Sequence, residues 1–130
     1  MADSPVGQAA WIFEKFTDWT DSDHRPEPLL GYDRMLDDIT LYWLTDTGAS
    51  SARLYWEFYR DNHDLTHLDL PARVSVFPGE LVRTPRVWAQ KAYENLVYSN
   101  DGIAAGGHFA AFEQPRLFVE ELRAYARLVR

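Results

Sequence analysis

Between Gly7 and Trp19 the apolar side chains fall at Ala9, Ile12, Phe13, Phe16 and Trp19. Spacing of three and four residues predicts an amphipathic helix, with Pro5 just ahead of it where helices tolerate proline. Residues 20–28 break the pattern with turn formers and two prolines, Pro26 and Pro28, and read as a loop. A second helix is expected with Asp33 as its cap and its end near Thr45 to Gly48. It would carry Leu36, Ile39 and Trp43 on one face and Asp37 and Asp38 on the other. A third starts in the small residues Ala49-Ser50-Ser51-Ala52, which permit close helix packing, and continues through Leu54, Tyr55, Phe58 and Tyr59. Residues 61–71 are polar and end in Pro71, which predicts a connector.

The period changes at Ala72. Val74-Ser75-Val76-Phe77 is a short β-branched and aromatic run stopped by Pro78-Gly79, the pattern of a buried strand entering a turn. Thr84-Pro85 resembles a cap followed by a first-turn proline and opens a helix through Val87, Trp88 and Tyr93. Leu96-Val97-Tyr98 predicts a second strand, and Pro115 begins a last helix with Leu117, Phe118, Leu122, Tyr125 and Leu128 mostly on one side. The chain thus divides into a helical segment, 1–71, and a β-α-β-α segment, 72–130. Strands alternating with helices imply a parallel sheet, hence an α/β fold class. Two strands alone leave an apolar edge unpaired unless another chain or another segment covers it.

Composition narrows the function classes. At 130 residues and 46% hydrophobic content the chain is about one globular domain long, and its 15% aromatic content suits a large core or an apolar pocket. The net charge is −7 and the basic residues are scattered, so neither nucleic acid nor an anionic membrane surface is an expected partner. Without cysteine there is no disulfide, no thiolate chemistry and no cysteine-based zinc site, which is compatible with a reducing cytosol. The polar start Met-Ala-Asp-Ser-Pro and the lack of a run of about 20 apolar residues argue against a signal peptide or a membrane span, and a cytoplasmic location is expected.

Two side chains stand where chemistry is expected. Glu80 follows the first strand through Pro78-Gly79, and His108 follows the second through Gly106-Gly107. Ligands of open α/β sheets bind beyond the carboxyl ends of the strands, so the two can converge. A carboxylate oriented onto a histidine is the base half of a hydrolase triad: it holds one tautomer and stabilises the imidazolium formed on proton abstraction. The structural alternative leaves Glu80 capping the following turn and His108 making a local hydrogen bond. Ser50 within Gly48-Ala49-Ser50-Ser51-Ala52 mimics a nucleophile elbow, but an elbow must follow a strand and residues 33–45 read as a helix. His63-Asp64-Leu65-Thr66-His67 resembles a zinc helix with Asp in place of Glu, yet no third ligand is evident and a hydrophilic connector fits better. Residues 20–28 lack the glycine and terminal glutamate of a calcium loop.

Three runs in order, Val76-Phe77-Pro78-Gly79-Glu80, Pro85-Arg86-Val87-Trp88 and Gly106-Gly107-His108-Phe109-Ala110-Ala111-Phe112-Glu113-Gln114-Pro115, resemble the C-terminal half of microsomal-type epoxide hydrolases. Asp3-Ser4-Pro5-Val6-Gly7, Asp38 to Trp43 and Ser50 to Tyr55 are similar to further segments of that family, including its helical cap. The resemblance implies the C-terminal part of an α/β-hydrolase, with 1–71 cap-like and 72–130 the end of the core. It also implies hydrolysis of an epoxide to a vicinal diol. An aspartate attacks the oxirane carbon, two cap tyrosines stabilise or protonate the opening oxygen, and a histidine-activated water hydrolyses the resulting ester. By motif, His108 is the water-activating base, Glu80 its acidic partner and Tyr55 one of the two tyrosines. No metal or other cofactor is implied. The segments of the family that carry the nucleophilic aspartate, the oxyanion loop and the other tyrosine have no counterpart in the 130 residues. Inactivity of the chain alone is therefore expected. The expected partners are a small apolar epoxide together with a chain supplying the N-terminal half, or a second copy of this chain as a homo-oligomer. A non-catalytic binding or oligomerising module is the alternative.

Overall fold

The computed structural model describes residues 3–60 and 69–130, with backbone alone at 59 and 60. The run His63 to His67, which reads from the sequence as a hydrophilic connector in preference to a zinc helix, lies outside the described residues. The chain forms two compact units: Met1–Asp18 with Ser22–Asp64, and Trp19–Asp21 with Leu65–Arg130. No described helix is long and apolar enough to cross a membrane.

The first unit is helical. Helix α1 spans Pro5–Trp19, its final residue belonging to the second unit. Ser4 opens it: the Ser4 hydroxyl oxygen accepts the Gly7 N–H at 3.2 Å and its carbonyl accepts the Gln8 N–H at 3.0 Å, which satisfies amides that have no partner within the helix. A four-residue helix, α2 (Glu27–Leu30), interrupts the expected loop, and its terminal Gly31 N–H donates to the Glu27 carbonyl. Gly31 then starts α3 (Tyr32–Leu44) with φ 81°. A side chain there would be strained, so the entry to α3 is set by glycine rather than by the Asp33 cap that the sequence suggests. The buried stripe of α3 also differs from expectation. Met35 and Ile39 are 1% and 7% exposed, whereas Leu36 is 54% exposed. Burial raises the Asp38 carboxyl above its ordinary range.

Helix α4 spans Gly48–Arg60. A Cβ on Gly48 would lie 1.9 Å from Oε1 of the buried Gln8, so glycine is what lets α4 approach α1 this closely. Ring stacking adds to the same contact, with Trp11 edge-on to Tyr55 at 5.8 Å.

The second unit holds strand β1 (Ala72–Ser75), helix α5 (Arg86–Ala92), strand β2 (Leu96–Asn100), the short helix α6 (Ala110–Glu113) and helix α7 (Pro115–Ala126). The expected β-α-β-α order holds, with α6 added. The two strands pair in parallel, Arg73 with Tyr98 and Ser75 with Asn100, after an irregularity between Ala72 and Arg73. Strand β1 begins and ends two residues earlier than the hydrophobic run suggests: Val76 still donates its N–H to Asn100 at 2.8 Å, but Phe77 has left the ladder and is buried. Helix α5 is preceded by Pro85, not by a Thr84 cap.

Helix α7 starts at Pro115, whose missing N–H is no loss at that position. Leu117, Phe118, Ala124 and Tyr125 are half-buried on one stripe, and its most buried member is a carboxylate, Glu121. Glu121 accepts hydrogen bonds from Ser75 Oγ (2.6 Å), Tyr98 Oη (3.1 Å) and Asn100 Nδ2 (2.7 Å), and so ties α7 to both strands. Desolvation, reinforced by the hydrogen bond and negative charge of Glu121, pushes the Tyr98 phenol above its ordinary range. Tyr125 adds a bond from its hydroxyl to the Pro71 carbonyl.

Candidate active site

Beyond the carboxyl ends of β1 and β2 the two segments that follow them meet once more. Gly79 and Gly107 form an isolated parallel bridge, and the Gly79 N–H donates to the Gly106 carbonyl at 2.9 Å. Phe77 and Glu80 close the turn before it, the Glu80 N–H donating to the Phe77 carbonyl at 3.2 Å. Neighbouring strands lie about 5 Å apart, so the residues that follow a bridged pair stand side by side. Those residues are Glu80 and His108. His108 Nδ1 lies 2.7 Å from Glu80 Oε1, with side chains 40% and 28% exposed respectively. The same oxygen accepts the Leu81 N–H at 2.8 Å, so the carboxylate both caps its own turn and meets the imidazole.

With a carboxylate oxygen beside it, Nδ1 is the ring nitrogen placed to donate, and the tautomer that does so presents Nε2 as an acceptor. Trp19 and Phe109 fix the ring plane from two sides: Trp19 is edge-on at 5.1 Å and 77°, and Phe109 at 5.3 Å and 81°. An imidazole held in this way can accept a proton at Nε2.

The backbone around His108 is fully engaged. Gly106 has φ 115° and donates its N–H to Asp21 Oδ2 at 3.0 Å. Gly107 donates to Glu113 Oε2 at 2.8 Å, His108 to the Trp19 carbonyl at 2.9 Å, and Phe109 to Glu113 Oε1 at 2.9 Å. Glu113 Oε2 also accepts the Asp21 N–H at 2.8 Å. The sequence motif assigns no role to Asp21 or Glu113. The signal for Glu113 was an acid in an otherwise apolar run, just ahead of the α7 proline; for Asp21 there was none, because it acts far along the chain.

No family model matches the chain. A Stigmatella aurantiaca protein with an epoxide hydrolase name is 58% identical over 130 residues, which are 100% of this chain and 29% of that protein. Epoxide hydrolase 1 of Sus scrofa is 37% identical over 140 residues, covering 99% of this chain and 31% of the relative. The structure of Aspergillus niger epoxide hydrolase superposes with a TM-score of 0.80 at 33% identity, over 99% of this chain and 31% of the other. Over its whole length the chain is homologous to part of these epoxide hydrolases. Juvenile hormone epoxide hydrolase from the silkworm Bombyx mori, another solved member, gives a TM-score of 0.78 at 32% identity over 99% of this chain and 36% of that one. The fold is accordingly part of the α/β-hydrolase fold of these epoxide hydrolases. The chain spans about a third of the length of the relatives it matches, 29% and 31% of the two curated ones.

Of the three residues singled out from the sequence, His108 and Glu80 meet in the second unit, and Tyr55 lies on α4 in the first, against Trp11. Ser50 sits near the start of α4, after a helix and not after a strand, and its hydroxyl donates to the Thr47 carbonyl at 3.1 Å. That is a local helix-start contact, without the strand-to-helix turn an epoxide hydrolase or any other α/β-hydrolase uses to expose a nucleophile. Among the described residues no group of three His, Asp or Glu side chains is placed to hold a metal.

Proposed function

We propose that this chain carries the water-activating part of an epoxide hydrolase that opens a small apolar epoxide to a vicinal diol. The observation that carries the proposal is the 2.7 Å contact between His108 Nδ1 and Glu80 Oε1, beyond the ends of two parallel strands. An aspartate held on a segment other than these 130 residues attacks one oxirane carbon. A C–O ester bond forms, the oxirane C–O bond breaks, and Tyr55, with a second tyrosine, hydrogen-bonds or protonates the departing oxygen. Water then gives a proton to His108 Nε2 as its oxygen adds to the ester carbonyl. Glu80 holds the Nδ1–H and stabilises the imidazolium that results. Collapse of the adduct breaks its ester C–O bond; the leaving oxygen takes the proton held by His108, and the second proton of the water passes to the tyrosinate or alkoxide left by ring opening, which completes the diol and regenerates the aspartate carboxylate.

Because the water-activating pair has no ester to act on without the nucleophile, the 130-residue chain alone is inactive under this proposal. The test is reconstitution. Combined with the nucleophile-bearing part, in one polypeptide or as a verified complex of two, the chain should form diol from a small aryl or alkyl epoxide; a verified complex that forms none would overturn the proposal.

The second proposal, a non-catalytic module that associates through apolar surface, is favoured within the first unit by the exposure of Leu54, Trp56 and Phe58 on α4 and, separately, within the second unit by that of Val87 and Trp88 on α5. Sedimentation of the chain separates the two: concentration-dependent self-association without diol formation in any complex supports the module.

A further inference from the structure

Glu113, at the end of α6, is 6% exposed, and three backbone amides converge on its carboxylate: Asp21 and Gly107 at 2.8 Å on Oε2, and Phe109 at 2.9 Å on Oε1. Two of the three flank His108. With Gly106 on Asp21 and His108 on the Trp19 carbonyl, four consecutive N–H groups have a fixed acceptor, and two of those acceptors are Glu113 oxygens. We propose that Glu113 is a positioning residue for the His108 base: its buried carboxylate sets the backbone of residues 107–109 so that the imidazole meets Glu80. The catalytic part of this inference rests on the proposed role of His108; the structural part does not.

The chemistry calls for a carboxylate. An ionised carboxylate offers only acceptors, enough for three N–H donors, and the charge shortens the bonds it accepts. A carboxamide in its place offers one acceptor oxygen and an NH2 group that cannot accept. At least one of the three amides then faces a donor, and the loop must move to relieve it. The contact between Nδ1 and Oε1 is at ordinary hydrogen-bond length, so a shift of about 1 Å in the loop takes it out of range.

The test uses Glu113→Gln in the full chain. Proton NMR of the wild-type chain should show a downfield imidazole N–H from His108, assigned by its loss in His108→Gln. In Glu113→Gln that resonance should be lost or displaced while circular dichroism shows retained helix. A folded Glu113→Gln chain with the His108 N–H and the Gly107 and Phe109 amides unmoved would overturn the inference. Should Glu113→Gln not fold, the wild-type chain still decides. The amide protons of Asp21, Gly107 and Phe109, all three bound to the Glu113 carboxylate, should be protected from exchange with solvent; exchange of these three at the rate of an open peptide would overturn it.

In a reconstituted enzyme, Glu113→Gln should lower kcat about 10²-fold with KM unchanged, the size expected when a catalytic group is displaced by about 1 Å. An unchanged kcat would contradict the inference. Failure of the wild-type complex to make diol would instead remove the role of His108, leaving the two NMR results to decide on Glu113.

Discussion

Gly107 is the narrowest point of the candidate site, and Gly107→Ala measures how tightly the His108 loop is held. A Cβ there would lie 2.7 Å from the Trp19 carbonyl oxygen, 2.8 Å from the Asp21 nitrogen and 3.1 Å from Glu113 Oε1. The first two are backbone atoms, so no rotamer change relieves them. Overpacking of this kind costs about 1–3 kcal/mol, and displacing one hydrogen bond to the Glu113 carboxylate adds about 1.5–3 kcal/mol. The sum, about 2.5–6 kcal/mol, corresponds to a fall in Tm of roughly 10–20 °C for a chain of 130 residues. Gly102→Ala is the control: its Cβ would meet only Asn100 Oδ1, at 3.5 Å, an ordinary contact. That variant should change Tm by no more than about 4 °C, in either direction. Thermal unfolding followed by near-UV and far-UV circular dichroism checks both. Equal Tm values for the two variants would refute the reasoning, because the close approach around Gly107 would then carry no cost.

Glu121→Ala removes the acceptor shared by Ser75, Tyr98 and Asn100 and should destabilise the chain by about 2–5 kcal/mol in a denaturant titration. Tyr98 has a folded-state pKa above its unfolded value of about 10, so the folded chain holds a proton that the unfolded chain has released, and stability falls as pH rises through and beyond 10. Melts from pH 8 to 11 should show a steeper loss for wild type than for Tyr98→Phe. Ser50→Ala, on an exposed residue with only a local bond to Thr47, should change stability by less than about 0.5 kcal/mol and leave diol formation in the reconstituted enzyme unchanged.

The nearness of Glu80 and His108 was legible in the sequence because both follow short strand patterns through glycine turns, and a parallel sheet delivers such residues to one end. The α/β class and the element order were legible for the same reason: the change of period at Ala72 is sharp. What was missed depends on contacts that periodicity does not encode. Leu36 and Met35 both fit a helical stripe with Ile39, and only packing within the first unit buries Met35 and leaves Leu36 exposed. Gly31 governs the start of α3 through its positive φ, while Asp33 two residues later has the more familiar composition of a cap. Glu121 looks like a solvent-facing acid, and Glu113, though set in an apolar run, has no visible partner in the sequence until its donors are known. One binds side chains of two strands; the other binds an amide 92 positions away. A helix as short as α6 leaves no periodic trace.

The most direct test of the central claim is the covalent state of a reconstituted enzyme carrying His108→Gln. With a histidine that activates water, and whose loss leaves the nucleophile intact, the variant should still be alkylated but not hydrolysed. Intact-protein mass spectrometry should find the nucleophile-bearing part heavier by one epoxide molecule, with at most one equivalent of epoxide consumed and no steady-state diol. Steady-state diol formation at the wild-type rate, with no adduct, would show that His108 does not activate the water and would contradict the account.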